Sequence, residues 1–172
     1  MRLYNNYKIV IISLSLLLII IPIFLQIYFF YDKKDKQKLL SNYLQAEILF
    51  SGKNQNQEQI KILETLIGKN NETVRSLSLG KLVDYYVENN NSNKAYDYAN
   101  HKNIKFEKDI FSEINNIRKV ILKFDIIKEN EILDLLKNNN KNNNFPLIKK
   151  KLLNDFYLKN NQKRKSNQLM QN

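Results

Sequence analysis

Residues 9–31 read IVIISLSLLLIIIPIFLQIYFFY, an apolar run without a charged residue, interrupted only by Ser13, Ser15, Gln26 and the tyrosine hydroxyls. At a helical rise of about 1.5 Å per residue it exceeds the roughly 20 residues needed to cross about 30 Å of hydrocarbon. Pro22 would break a soluble helix but only kinks a membrane one, and Tyr28, Phe29, Phe30 and Tyr31 supply an aromatic belt at the exit. A cleaved signal peptide would also start with basic residues such as Arg2 and Lys8, but its apolar core spans about 7 to 15 residues and ends in small side chains. Here the first alanine is Ala46 and the exit is uniformly bulky. The segment is therefore expected to be an uncleaved transmembrane helix behind a short basic tail, residues 1–8.

Lysines on both sides leave the orientation nearly balanced. Arg2 and Lys8 precede the run and Lys33, Lys34, Lys36 and Lys38 follow it, a slight lean toward a cytosolic C-terminal part under the positive-inside rule. The 172 residues have room for one modest further domain. Only three glycines and two prolines are present, so strands and tight turns lack their usual punctuation and helices are the default. No cysteine is present, which excludes disulfide scaffolds, thiolate zinc sites and nucleophilic cysteine. The net charge of +11 comes mostly from lysine accompanied by asparagine and isoleucine. An AT-rich genome writes that mixture wherever a position is merely solvated, and this accounts for the charge better than a dedicated anionic partner.

Past Asp32 the chain alternates between helical periodicity and polar, Asn-rich stretches. Leu39, Tyr43, Ala46 and Phe50 make a first stripe ended by Gly52; Ile60, Leu63 and Leu66 make a second, ended by Gly68 as a left-handed cap. Leu79, Leu82, Val83 and Tyr86 mark a third helix, and Ala95, Tyr98 and Ala99 a short fourth. The fifth is the clearest, with Ile110, Ile114, Ile117, Ile121 and Phe124 in helical period. Ile132, Leu133, Leu135 and Leu136 mark a sixth. After the loop from Asn138 to Asn144, Pro146 opens a seventh with Ile148, Leu152, Phe156 and Tyr157. A ragged eighth contains Leu169.

Pairs spaced by three recur at intervals of roughly 34 to 37 residues: Ile60 with Leu63, Ala95 with Tyr98, Ile132 with Leu135, Ser166 with Leu169. Tyr85-Tyr86-Val87-Glu88-Asn89-Asn90 is echoed by Phe156-Tyr157-Leu158-Lys159-Asn160-Asn161. One such helix pair is too thin to bury its own face, so neighbours must stack. The expected fold is all-α: one N-terminal transmembrane helix, residues 9–31, then a tetratricopeptide-like (TPR-like) α-solenoid of helical hairpins, residues 32–160. Residues 161–172 form a polar, basic C-terminal cap or frayed tail.

Little of the sequence offers catalysis. His101 is the sole histidine, which excludes histidine pairs as metal ligands and most triads. Glu129 with Glu131, and Glu107 with Asp109, sit two apart and would not face each other on a helix. Gly52, Gly68 and Gly80 are isolated, so there is no phosphate-binding loop. Tyrosines interleaved with lysine resemble a nucleic-acid stacking surface, but Tyr85, Tyr86, Tyr98 and Tyr157 fall at core spacing. Lys163-Arg164-Lys165 serves solubility better than headgroup contact. No catalytic residue, cofactor, metal, nucleic acid or small-molecule substrate is expected. The expected activity is protein binding, with Arg75, Lys81, Asp84 and Arg118 as contact residues because they fall off the apolar stripes of the middle repeats.

The order of parts resembles the YfgM-type family of ancillary SecYEG translocon subunits, single-pass proteins with a TPR-like domain. The resemblance rests on the anchor, on Tyr43-Leu44-Gln45-Ala46-Glu47 leading to Gly52, on Gln59-Ile60-Lys61-Ile62-Leu63-Glu64-Thr65-Leu66, and on Phe145-Pro146-Leu147 followed by Leu152-Leu153 and Phe156-Tyr157-Leu158. Gln59 stands where the family has a small alanine. The resemblance implies a bacterial inner (plasma) membrane protein with a cytoplasmic N-terminus and a periplasmic repeat domain. It also implies partners in the Sec translocon, periplasmic chaperones or client peptides, with the lipid bilayer contacted through the N-terminal helix. The alternatives are a TPR subunit of another envelope assembly and a cytosol-facing membrane tether.

Overall fold

The computed structural model describes residues 2–50, 57–101, 103–137 and 144–171. Within them the chain is all-helical: α1 (Arg2–Phe50), α2 (Gln57–Ile67), α3 (Glu72–Glu88), α4 (Ser92–Ala99), α5 (Asp109–Leu122), α6 (Glu129–Leu136), α7 (Pro146–Lys159) and α8 (Lys163–Gln171). The chain forms two compact units, Met1–Asn42 and Tyr43–Asn172.

In the first unit α1 runs on past the apolar run without a break. Nothing between Pro22 and residue 50 stops a helix, and Lys36 donates to Asp32 at 2.6 Å across one turn. Ser13 and Ser15 return their hydroxyls to the carbonyls of Val10 and Ile12, both at 2.9 Å, so neither presents an unsatisfied group. Among the described residues α1 is the one helix long and apolar enough to cross a membrane, with an 18-residue window of mean hydropathy 2.4 within Ile12–Ile48. It is compatible with membrane anchoring.

The second unit begins inside α1, where Tyr43 and Ala46 are buried as the first stripe requires. Gly52 lies outside the described residues, as does the loop 138–143. Each following helix packs on the next from α2 to α8, and α3 also touches α5. Leu63, Leu66, Val74, Leu79, Leu82, Tyr86, Ala95 and Ala99 are buried in the N-terminal half. In the C-terminal half Ile117, Val120, Ile127, Ile132, Leu136, Phe156 and Tyr157 form one cluster, with Phe124, Leu152, Leu153 and Leu169 against it. Leu169 thus joins a packed helix, α8.

The two echoing strings form the same structure. Asn90 and Asn161 have φ of 56° and 58°. The N–H groups of Asn91 and Gln162 reach back to the carbonyls of Tyr86 and Tyr157 at 2.7 and 2.8 Å. This is a Schellman ending with asparagine in the left-handed position, where its short polar side chain is tolerated. Each turn also sets a lysine over a tyrosine ring, Lys94 over Tyr86 at 4.5 Å and Lys165 over Tyr157 at 5.6 Å. Gly68, expected as a left-handed cap, has no positive φ. Its helix closes instead through 3₁₀-type bonds, Gly68 N–H to Thr65 at 3.2 Å and Lys69 N–H to Leu66 at 3.1 Å.

Four polar bonds between hairpins fall at similar intervals. Tyr98 donates to Glu64 across 34 residues, the Glu107 N–H to Glu72 across 35, Lys159 to Asp125 across 34 and Lys165 to Glu129 across 36. The hydrogen bond from Lys165, supplemented by Gln162, holds the Glu129 carboxyl below its usual value of 4.5 against a smaller opposing effect of desolvation. A carboxyl depressed in the folded state contributes stability above its unfolded pKa and loses it as pH falls through the folded one. Glu129→Gln is therefore expected to flatten the acid limb of the stability–pH curve. Chemical denaturation at a series of pH values checks it; an unchanged acid limb would show that this pair does not hold α8.

Candidate functional site

The four residues expected to contact a partner have different roles. Arg75 is a staple: Nε donates to the carbonyl of Ile67 at 3.1 Å, Nη2 to Lys69 at 2.8 Å and Nη1 to Lys105 at 2.6 Å. It caps the C-terminal end of α2, where free carbonyls and the helix dipole favour a cation. With Glu72, which accepts the N–H groups of Glu107 and Lys108, it pins the loop before α5 to the α2–α3 turn. Its donors are committed within the fold.

Asp84 and Arg118 lie near each other, whereas Lys81 turns to α1. Lys81 on α3 reaches Glu47 on α1 at 3.1 Å, with both side chains about one-third exposed. Arg118 projects from α5 onto α3 at Gly80, where a Cβ would stand 2.8 Å from Nη2 and 3.5 Å from Cζ. Gly80 is helical with negative φ, so close approach of the guanidinium is what this glycine permits. Arg118, expected at the surface, is half-buried, and its Nη1 is fully covered with no hydrogen-bond partner among the described residues. Burial pushes its pKa down, opposed by the negative charge of nearby Asp84. Asp84 itself is exposed.

The helix that carries Arg118 corrects the sequence reading. Its buried side is Glu113, Ile117 and Val120, with Asn115 on another side donating to the Ala99 carbonyl at 2.9 Å. Ile110 and Ile121, expected in the core, are 42 % and 56 % exposed, and Ile114 between them is half-buried. At 100° per residue these three lie within about 40° of one another, and Arg118 borders them on the α3 side. Leu77 and Asp84 share the exposed side of α3. Isoleucines at 110, 114, 117 and 121 with Val120 span about 120°, one apolar side, of which 117 and 120 are buried and 110, 114 and 121 lie at its more open margin.

A separate cavity of about 320 Å³ lies at the C-terminal ends of α2 and α4, lined by Glu64, Ile67, Gly68, Tyr98, His101, Asn103 and Ile104. The Asn103 N–H donates to His101 Nδ1 at 3.3 Å. The Glu64 carboxylate accepts the Tyr98 hydroxyl, and burial followed by this bond raises the tyrosine pKa, so both groups are structurally engaged. Among the described residues no group of three or more His, Asp or Glu side chains is placed to hold a metal ion.

No protein-family model, curated protein or solved structure matches the chain.

Proposed function

We infer that the chain is a membrane-anchored, TPR-like protein-binding scaffold, held in the bilayer by α1 and presenting partner-binding faces on α3 and α5. The observation that carries this reading is the interval of 34 to 36 residues in the polar bonds joining one hairpin to the next. Intervals this similar support hairpins that meet their neighbours in a related way, as in a solenoid. The paired Schellman turns and the packing of α3 on α5 support it. Stacking leaves one side of the first helix of each hairpin open, and the strip on α5 is such a side. Tethering raises the effective concentration of that surface at the membrane, so weak binding suffices.

The proposed place of action is the bacterial inner membrane with the repeat domain in the periplasm, as an ancillary Sec translocon subunit linking it to chaperones or clients. Resemblance supplies this assignment. Crosslinking in the native host followed by mass spectrometry is expected to recover Sec components or periplasmic chaperones, and deletion of residues 43–172 should abolish the crosslinks to clients. Recovery of a different envelope complex would replace the translocon assignment and keep the scaffold. A second reading has an observation in its favour: Lys33, Lys34, Lys36 and Lys38 directly follow the apolar run, which suits a cytosol-facing tether. A reporter fused after Asn172 separates the two, since only a periplasmic C-terminus activates alkaline phosphatase.

A further inference from the structure

We propose that the segment of α1 just past the apolar run binds an anionic phospholipid, its phosphate held by Lys34 and Lys38 beside Tyr31. The inference rests on the reading of α1 as a membrane anchor and names the lipid it prefers. Its starting point is that α1 continues as a helix from the apolar run to Phe50. The lysines that follow the run are therefore fixed in depth and in direction. At about 1.5 Å per residue, Lys34 and Lys38 lie about 4.5 and 10.5 Å beyond Tyr31 along the axis. The headgroup layer outside the hydrocarbon is roughly 5 to 8 Å thick on each side. Helical side chains lean toward the helix N-terminus, which here is the membrane side, so the lysine stem at 38 reaches back into that layer.

Direction divides the charges between two sides of the helix. At about 100° per residue Tyr31, Lys34 and Lys38 fall within about 60° of one another, while Asp32, Lys33 and Lys36 fall on the opposite side. There Lys36 is already paired with Asp32 at 2.6 Å. Lys34 and Lys38 are exposed and form no ion pair among the described residues. Two ammonium groups one turn apart repel, and an anion between them removes that cost. With Tyr31, Asp35, Gln37 and Ser41 they line a recess of about 540 Å³. Asp35 is the one carboxylate in that lining, so two lysines leave it net positive. The Tyr31 ring suits the boundary between hydrocarbon and headgroups. A zwitterionic headgroup neutralises its own phosphate, whereas an anionic one brings the net charge that the lysines attract.

The test embeds the full-length protein in nanodiscs of equal phosphatidylglycerol and phosphatidylcholine and counts the lipids it retains by native mass spectrometry. Phosphatidylglycerol should be retained over phosphatidylcholine by about fivefold, the ratio expected of one net lysine charge near an anionic surface. Lys34→Gln with Lys38→Gln should bring the ratio near one. Lys33→Gln with Lys36→Gln removes the same charge from the other side and should leave most of the preference. All four positions are exposed on the helix, so neither pair of substitutions threatens the fold. Equal retention of the two lipids, or an equal loss of preference in the two double variants, overturns the proposal. So does displacement of phosphatidylglycerol by millimolar glycerol phosphate, which would place the ligand in solution. Carbonate extraction from vesicles of phosphatidylcholine alone keeps the two readings apart. Protein that stays in those vesicles but shows no lipid preference retains its anchor and loses the site; protein that washes off loses both.

Discussion

Glu113→Gln should destabilise the helical domain by about 3 to 5 kcal/mol, although it changes neither the size nor the shape of the side chain appreciably. Glu113 on α5 and Lys149 on α7 meet at 2.9 Å with side chains only 10 % and 7 % exposed. The backbone and side-chain N–H groups of Asn144 also point at the carboxylate, at 3.3 and 3.4 Å. With the carboxylate gone, the Lys149 ammonium would lose its 2.9 Å anionic partner in a site nearly closed to water. Attraction lost there is not returned by solvation, whereas the same change at an exposed pair costs about 1 kcal/mol at most. Replacing both partners, Glu113→Leu with Lys149→Met, removes two desolvated charges and should recover most of the loss. Urea unfolding of the full-length protein measures it, read as a shift of midpoint at constant slope. A single substitution costing under about 1 kcal/mol, the range of an exposed pair, or a double variant no better than the single, would show that the pair is hydrated and does not fix the α5–α7 register.

The same pair shows why this domain is only partly legible in its sequence. Helix number and order can be read from periodicity because each short helix must keep an apolar side. The turns can be read from their Asn-rich strings, although which residue takes the left-handed position depends on how the chain leaves the helix, and asparagines at 90 and 161 take it in place of Gly68. Long-range polar partners leave no local trace. Arg75 has the character of a surface residue until the carbonyls of Ile67, Lys69 and Lys105 are seen around it. Gly80 reads as isolated because its partner, the Arg118 guanidinium, comes from another repeat. α1 continues past the apolar run because a change from apolar to charged side chains alters what a helix faces and does not end it.

The side of α5 that faces the core is the costliest ambiguity, and one comparison settles it. Ile117→Asp and Ile121→Asp make the same chemical change one helical turn apart on the same stripe, so sequence alone assigns them the same penalty. Ile117 is 9 % exposed and packs in the cluster that holds Val120, Ile132, Leu136 and Phe156. A carboxylate there has no partner, and the expected cost is several kcal/mol, enough to unfold a thin stack whose total stability is about 5 to 15 kcal/mol. Ile121 is 56 % exposed, so its carboxylate stays hydrated and the change should fall within about 0.5 kcal/mol. Thermal melts followed by circular dichroism should therefore show loss of the cooperative transition for Ile117→Asp and a melting temperature near that of the unsubstituted protein for Ile121→Asp. Equal destabilisation by the two would return Ile121 to the core. Unfolding by Ile117→Asp alone leaves residue 121 as a position where binding can be altered without touching the fold, which is what a functional face requires of its residues.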